Sequence, residues 1–113
     1  MSWPTELRLN PEKNSLSIRF DDGAAFVLAA EYLRVESPSA EVQGHSPDQK
    51  QIVTGKETVK ITALEPVGNY AVRIVFDDGH DTGFYSWDYL HELGRDHKTK
   101  WAAYLKAARG DRT

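Results

Sequence analysis

Two β-hairpin-plus-helix units sharing a small, mostly antiparallel sheet, followed by a C-terminal helix, are what the sequence predicts: an α+β domain. Three observations carry this. Short segments alternate apolar and polar residues with the period of a half-buried strand. The run Asp-Asp-Gly occurs twice after such a segment, at Asp21-Asp22-Gly23 and Asp77-Asp78-Gly79. Near the end, Trp101, Tyr104, Leu105 and Ala108 fall at i, i+3, i+4 and i+7, one face of a helix.

In order along the chain, Thr5 to Asn10 alternates, with Leu7 and Leu9 on one side. Asn10-Pro11-Glu12-Lys13-Asn14 supplies turn chemistry. Leu16, Ile18 and Phe20 mark a second strand. Asp-Asp-Gly then tolerates the positive φ of a tight hairpin. Ala25 to Leu28 returns as a third strand, and Ala29 to Val35 is a short helix. Ser37 to Gln51 is a long polar loop, and Ile52 to Thr54 a brief edge strand. Val59 to Leu64 is a strand ended by Glu65-Pro66-Val67-Gly68-Asn69. Tyr70 to Phe76 is the clearest strand, and Thr82 to Tyr85 its hairpin partner. Ser86 is placed to cap a helix carrying Trp87, Leu90 and Leu93 and stopping at Gly94. Asp96 caps the last helix.

The two halves echo each other. Ile18 to Gly23 is followed eight residues later by Glu31-Tyr32-Leu33, and Ile74 to Gly79 nine residues later by Asp88-Tyr89-Leu90. The chain reads as one domain over 1–113, with a core of about 5–108 and a frayed tail at 109–113.

Composition removes several functions. There is no cysteine, so disulfides, thiolate metal sites, cysteine-held Fe–S clusters and cysteine nucleophiles are excluded. The formal net charge is −3 with Lys and Arg scattered, against the basic face that nucleic acid or an anionic membrane requires. No basic-then-apolar leader is visible and the longest apolar run is far below the ~20 residues of a membrane span. The expectation is a cytoplasmic protein.

Among chemical candidates, His80 stands beside Asp77, Asp78 and Asp81 in the second turn, and His45 lies in the long loop. Imidazole with carboxylates suits zinc or iron. Adjacent Asp77 and Asp78 diverge and make no hydrolytic pair. Ser86 lacks a nucleophile elbow and reads as a helix cap. No phosphate-binding glycine loop is present. Tyr85, Asp81 and Trp101 are the candidate partner-binding residues, part of an aromatic-rich C-terminal third.

The string Asp77-Asp78-Gly79-His80 … Gly83-Phe84-Tyr85-Ser86-Trp87-x-Tyr89-Leu90 resembles the domain of unknown function 971 family, also called the gamma-butyrobetaine hydroxylase-like N-terminal domain. Leu7-Arg8-Leu9, Leu16 through Phe20 and Leu33 through Val42 extend the resemblance to nearly the whole chain. Such domains occur alone in bacteria, ahead of the catalytic domain of carnitine-synthesis oxygenases that use iron and 2-oxoglutarate, and on some Fe–S scaffold ATPases. In the oxygenases the domain is a zinc module. Aligned on Leu33-Arg34, its three cysteines fall on Ser37, Ser39 and Val42, and its histidine on His80.

The resemblance therefore implies a zinc site whose cysteines are gone, with His80 as its remnant and no catalytic domain attached. The expected function is a non-catalytic accessory module that binds another protein and no cofactor. The alternatives are a zinc- or iron-binding or Fe–S maintenance factor using His80, and a small enzyme. Oligomeric state is left open, a dimer included.

Overall fold

The structure, a computed structural model, describes residues 2–44 and 49–108. Strands β1 (Pro4–Leu9), β2 (Ser15–Phe20) and β3 (Ala25–Ala29) form one antiparallel sheet in that order. Helix α1 (Ala30–Val35) follows directly, and a single turn, α2 (Ala40–Gln43), comes next. Strands β4 (Ile61–Val67), β5 (Ala71–Phe76) and β6 (Gly83–Ser86) form a second antiparallel sheet, followed by α3 (Trp87–Arg95) and α4 (His97–Ala108). The α+β class and the C-terminal helix are as read from the sequence. The six strands make two sheets instead of one shared sheet. Their inner faces still meet in one core, where Leu16, Ile18, Ile61, Ile74, Leu90 and Leu93 are almost wholly buried. Among the described residues no helix is long and apolar enough to cross a membrane.

The Asp-Asp-Gly turns are built alike. Gly23 N–H donates to Phe20 C=O and Phe20 N–H to Ala24 C=O; Gly79, Phe76 and His80 repeat this pair of bonds. Gly23 and Gly79 have φ of 91° and 92°, the left-handed residue that a three-residue hairpin loop needs. The second aspartate accepts the N–H two residues on in both turns, Asp22 from Ala24 and Asp78 from His80. The first anchors the outer strand of its sheet: Trp3 N–H donates to Asp21, and Lys60 N–H to Asp77.

The two units lock through a reciprocal exchange. Tyr32 of α1 donates its hydroxyl to Leu93 C=O in α3 at 2.7 Å. Tyr89 of α3 donates to Glu36 C=O at the end of α1 at 2.5 Å. Each tyrosine thus serves the carbonyl one turn beyond the other tyrosine, in the last helical turn where carbonyls lack backbone donors. Polar contacts follow the same exchange: Arg34 of α1 pairs with Asp78 at 2.8 Å, and His91 Nε2 of α3 lies in hydrogen-bond reach of Asp22 at 2.9 Å.

Several boundaries differ from the expectation. Ile52 to Thr54 forms no strand; the Val53 carbonyl instead accepts the Tyr104 hydroxyl. β4 runs through Glu65-Pro66 to Val67, with Pro66 opposite Val72. Proline is tolerated there because β4 is an outer strand, whose free side needs no donor. The long loop contains α2, capped by Ser39, whose hydroxyl accepts Glu41 N–H. α3 passes through Gly94 to Arg95. A Cβ at Gly94 would stand 2.3 Å from the Phe26 ring, so the glycine serves close packing of β3 on α3 and not helix termination. Ser86 does cap α3, accepting Tyr89 N–H at 3.1 Å. The Asp96 carboxylate is taken by Arg95 and only its backbone carbonyl enters α4. The tail predicted over 109–113 lies outside the described residues.

Tyr32→Phe or Tyr89→Phe leaves a buried carbonyl unpaired and is expected to cost about 1–2 kcal/mol each in urea unfolding. The double variant is expected to lose less than the sum, because the two bonds tie the same pair of helices. Gly94→Ala, forcing Phe26 out of place, is expected to lose about 1–3 kcal/mol. A neutral Gly94→Ala would remove the packing role.

Candidate functional site

The extra residue in the second half explains how the site arises. In the first unit Ile18 pairs with Phe26 across the turn; in the second, its counterpart Ile74 pairs with Gly83, one residue further on than the same count would reach. The slack falls between His80 and Gly83. It lets the His80 backbone close the turn while its ring swings inward, leaving the residue 5% exposed.

Both ring nitrogens are then used. Nδ1 lies 3.0 Å from Glu41 Oε1 and Nε2 2.8 Å from Ser37 Oγ. A carboxylate only accepts, so Nδ1 carries the proton and Nε2 accepts the Ser37 hydroxyl. Ser37 Oγ in turn accepts Ser39 N–H at 3.2 Å. Thr82 donates its hydroxyl to Glu41 at 3.1 Å, so the Ser39 hydroxyl, 2.7 Å away, donates to Thr82. The result is a closed ring through His80, Ser37, Ser39, Thr82 and Glu41. Gln43 fixes the loop further by donating to the Ser37 carbonyl.

Electrostatics keep the imidazole neutral. Burial, and then the charge of Arg34, lower the His80 pKa from its ordinary value, with Glu41 and Asp78 opposing. Burial would raise the Asp78 pKa, but Lys56, the His80 N–H and Arg34 outweigh it and bring it down to about 2. Arg34 Nη1 stays buried without a hydrogen-bond partner.

The other candidates from the sequence do not converge on this ring. His45 lies outside the described residues. Tyr85 is fully buried, with its hydroxyl on the Leu33 carbonyl, so it belongs to the core and cannot present a docking surface. Asp81 pairs with Arg73. Trp101 is half-buried between Tyr32 and Tyr104. Conversely, Glu41 and Thr82 were missed as partners of His80. The longer spacing after the second Asp-Asp-Gly was the available signal. Phe84, beside Tyr85, points outward and is 54% exposed.

The family model described as gamma-butyrobetaine hydroxylase-like, N-terminal, matches residues 7–91, and the chain belongs to that family. A protein solved by solution NMR is 47% identical, with a TM-score of 0.83, covering 100% of this chain and 84% of its own. A second NMR structure is 42% identical, TM-score 0.80, covering 97% of this chain and 88% of its own. A crystal structure of a protein of unknown function of the DUF971 family from Acidithiobacillus ferrooxidans is 41% identical, TM-score 0.67, covering 80% of this chain and 91% of its own. No curated protein matches.

The zinc set implied by the resemblance does not fit these residues. Ser37 meets His80, while Ser39 bonds Ser37 and Thr82; both offer hydroxyls held in hydrogen bonds, and Val42 is a buried hydrocarbon. Zinc takes thiolate, imidazole or carboxylate. Among the described residues no group of three His, Cys, Asp or Glu is placed to hold a metal.

Because the folded imidazole binds its proton less readily than the unfolded one, the unfolded chain carries more protons just below pH 6.5. Stability is therefore expected to fall as pH drops from about 6.5 towards 5, measured by urea unfolding at each pH. His80→Gln is expected to flatten that slope. An unchanged slope would place the ring outside the titration.

Proposed function

We propose that this member of the gamma-butyrobetaine hydroxylase-like N-terminal family is a non-catalytic accessory module of the cytoplasm that docks on another protein. The observation that carries this reading is the His80 ring. A general base or metal ligand needs a free nitrogen facing substrate or ion. Here both nitrogens are engaged and the residue is 5% exposed. His80 holds the α1–α2 connection against β6, as a ligated metal would hold it.

The docking surface is the second sheet. Phe84 of β6 is 54% exposed. Phe84 stands opposite Arg73, which pairs with Glu65 of β4. An aromatic beside a paired arginine matches the composition of protein-binding centres.

Full-length protein carrying a removable tag is expected to retain one partner reproducibly. Phe84→Glu is expected to reduce that capture about tenfold at unchanged melting temperature. Capture indifferent to this substitution would overturn the assigned surface. In parallel, untagged protein is expected to contain neither zinc nor iron and to melt identically with and without chelator. The triple variant Ser37→Cys, Ser39→Cys, Val42→Cys is expected to gain zinc and a chelator-sensitive melt. Stoichiometric metal in the unaltered protein would favour the metal-handling alternative and sink the accessory reading.

A further inference from the structure

The two sheets present four outer strands, and three are guarded against pairing with another chain. β1 carries Pro4, Glu6 and Arg8 and a register irregularity. β4 carries Glu65 and Pro66 and a similar irregularity. β6 is four residues long, begins at Gly83, and its approach is tied down by Thr82 on Ser39 and Glu41. These are the usual devices that blunt an edge. β3 has none of them. It reads Ala25-Phe26-Val27-Leu28-Ala29, regular in register, without charge, proline or glycine.

The hydrogen-bond phase of β3 follows from the turn. Phe20 and Ala24 form a bonded pair, so the bonded pairs of this ladder are Ile18 with Phe26 and Leu16 with Leu28. Ala25, Val27 and Ala29 therefore aim their backbone groups away from β2. Among the described residues none of the three has a backbone partner beyond its own sheet and helix. Their side chains face outward as well, with Val27 69% exposed and both alanines exposed.

We propose that β3 is a pairing edge for a second copy of this chain, joining two three-stranded sheets into one antiparallel six-stranded sheet. The strand is self-complementary about Val27. Antiparallel pairing centred there sets Ala25 beside the partner's Ala29, Phe26 beside the partner's Leu28, and Val27 beside the partner's Val27. Every outward backbone group at Val27 then meets its own copy, and Ala29 N–H meets the carbonyl of the partner's Ala25. No charge is buried at the seam, and the small outer-face residues let the strands meet flat. The short strand makes this a reversible, low-area association. It uses the first sheet, so it stands or falls independently of the Phe84 surface on the second.

Sedimentation equilibrium of the full chain is expected to show monomer–dimer exchange below about 1 mM. Val27→Lys, at an exposed position, is expected to raise the dissociation constant at least about tenfold with an unchanged melt. Since the chain has no cysteine, Val27→Cys gives an independent readout. Facing Cα atoms in a bonded antiparallel pair lie ~5.5 Å apart, within disulfide reach, so this variant is expected to oxidise to a covalent dimer. Phe84→Cys, the counterpart position on β6, is expected to stay monomeric under the same oxidation. A chain monomeric throughout that range, self-association indifferent to Val27→Lys, or equal cross-linking of both cysteine variants would each overturn the proposal. So would a monomer whose Val27→Lys variant loses capture of a different protein, which would assign the edge to a foreign strand.

Discussion

Everything else in this domain depends on the exchange of two tyrosine hydroxyls between α1 and α3. At the end of the short helix Ala30–Val35, Glu36 N–H reaches the Tyr32 carbonyl and Ser37 N–H the Arg34 carbonyl, which leaves the Leu33 and Glu36 carbonyls to side-chain donors. Burying its end without partners would cost on the order of 1–3 kcal/mol per group. Tyr89 takes the Glu36 carbonyl and Tyr85 the Leu33 carbonyl, while Tyr32 repays the service at Leu93. Neither unit can satisfy its own helix end. The relation is that of a two-fold subunit interface, where one patch meets its copy, realised within a single chain. The cross-unit polar contacts Arg34–Asp78 and His91–Asp22 obey the same symmetry. One core with no separable halves follows from this.

His80 sits where that symmetry breaks. Its counterpart in the first unit is Ala24, which closes the turn with the same backbone bond and offers the core only a methyl group. One added residue before β6 gives the second unit a buried imidazole and an acceptor for Ser37. Because Glu41 and Ser37 dictate the tautomer, and because burial and Arg34 disfavour the cation, the ring is a fixed neutral connector. A hydrogen-bonded ring of Ser, Ser, Thr, Glu and His is directional and saturated. It can hold the α1–α2 connection in one place without the four thiolate or imidazole bonds of a zinc site.

The fold was legible where a single residue type decides the backbone. Asp-Asp-Gly fixed both hairpins because the left-handed third position leaves few alternatives, and Ser86 capped α3 as its place demanded. Readings failed where long-range contacts overrule local grammar. Pro66 looked like a strand end, yet an outer strand has a side that needs no donor. Gly94 looked like a helix stop, yet Phe26 needs its missing Cβ. Tyr85 looked available for a partner, yet the Leu33 carbonyl claims its hydroxyl. Three of the five residues of the ring were visible: His80, Ser37 and Ser39 came from the family pattern. Glu41 and Thr82 did not, because only the displaced register of β6 brings them to the ring.

The same added residue divides the labour between the two outer inner-half strands, β3 and β6. In β6 it shortens the ladder and spends the approach to the strand on Ser39 and Glu41, which closes that edge. In β3 the ladder runs regularly from the turn to the helix. A perfectly symmetric molecule would have two open edges and, with them, a route to endless strand-to-strand growth. Breaking the symmetry once leaves β3 as the single open edge among the described residues, and one self-complementary edge can only close as a pair. The residue that created the histidine site thus also closes the second unit's counterpart of the β3 edge.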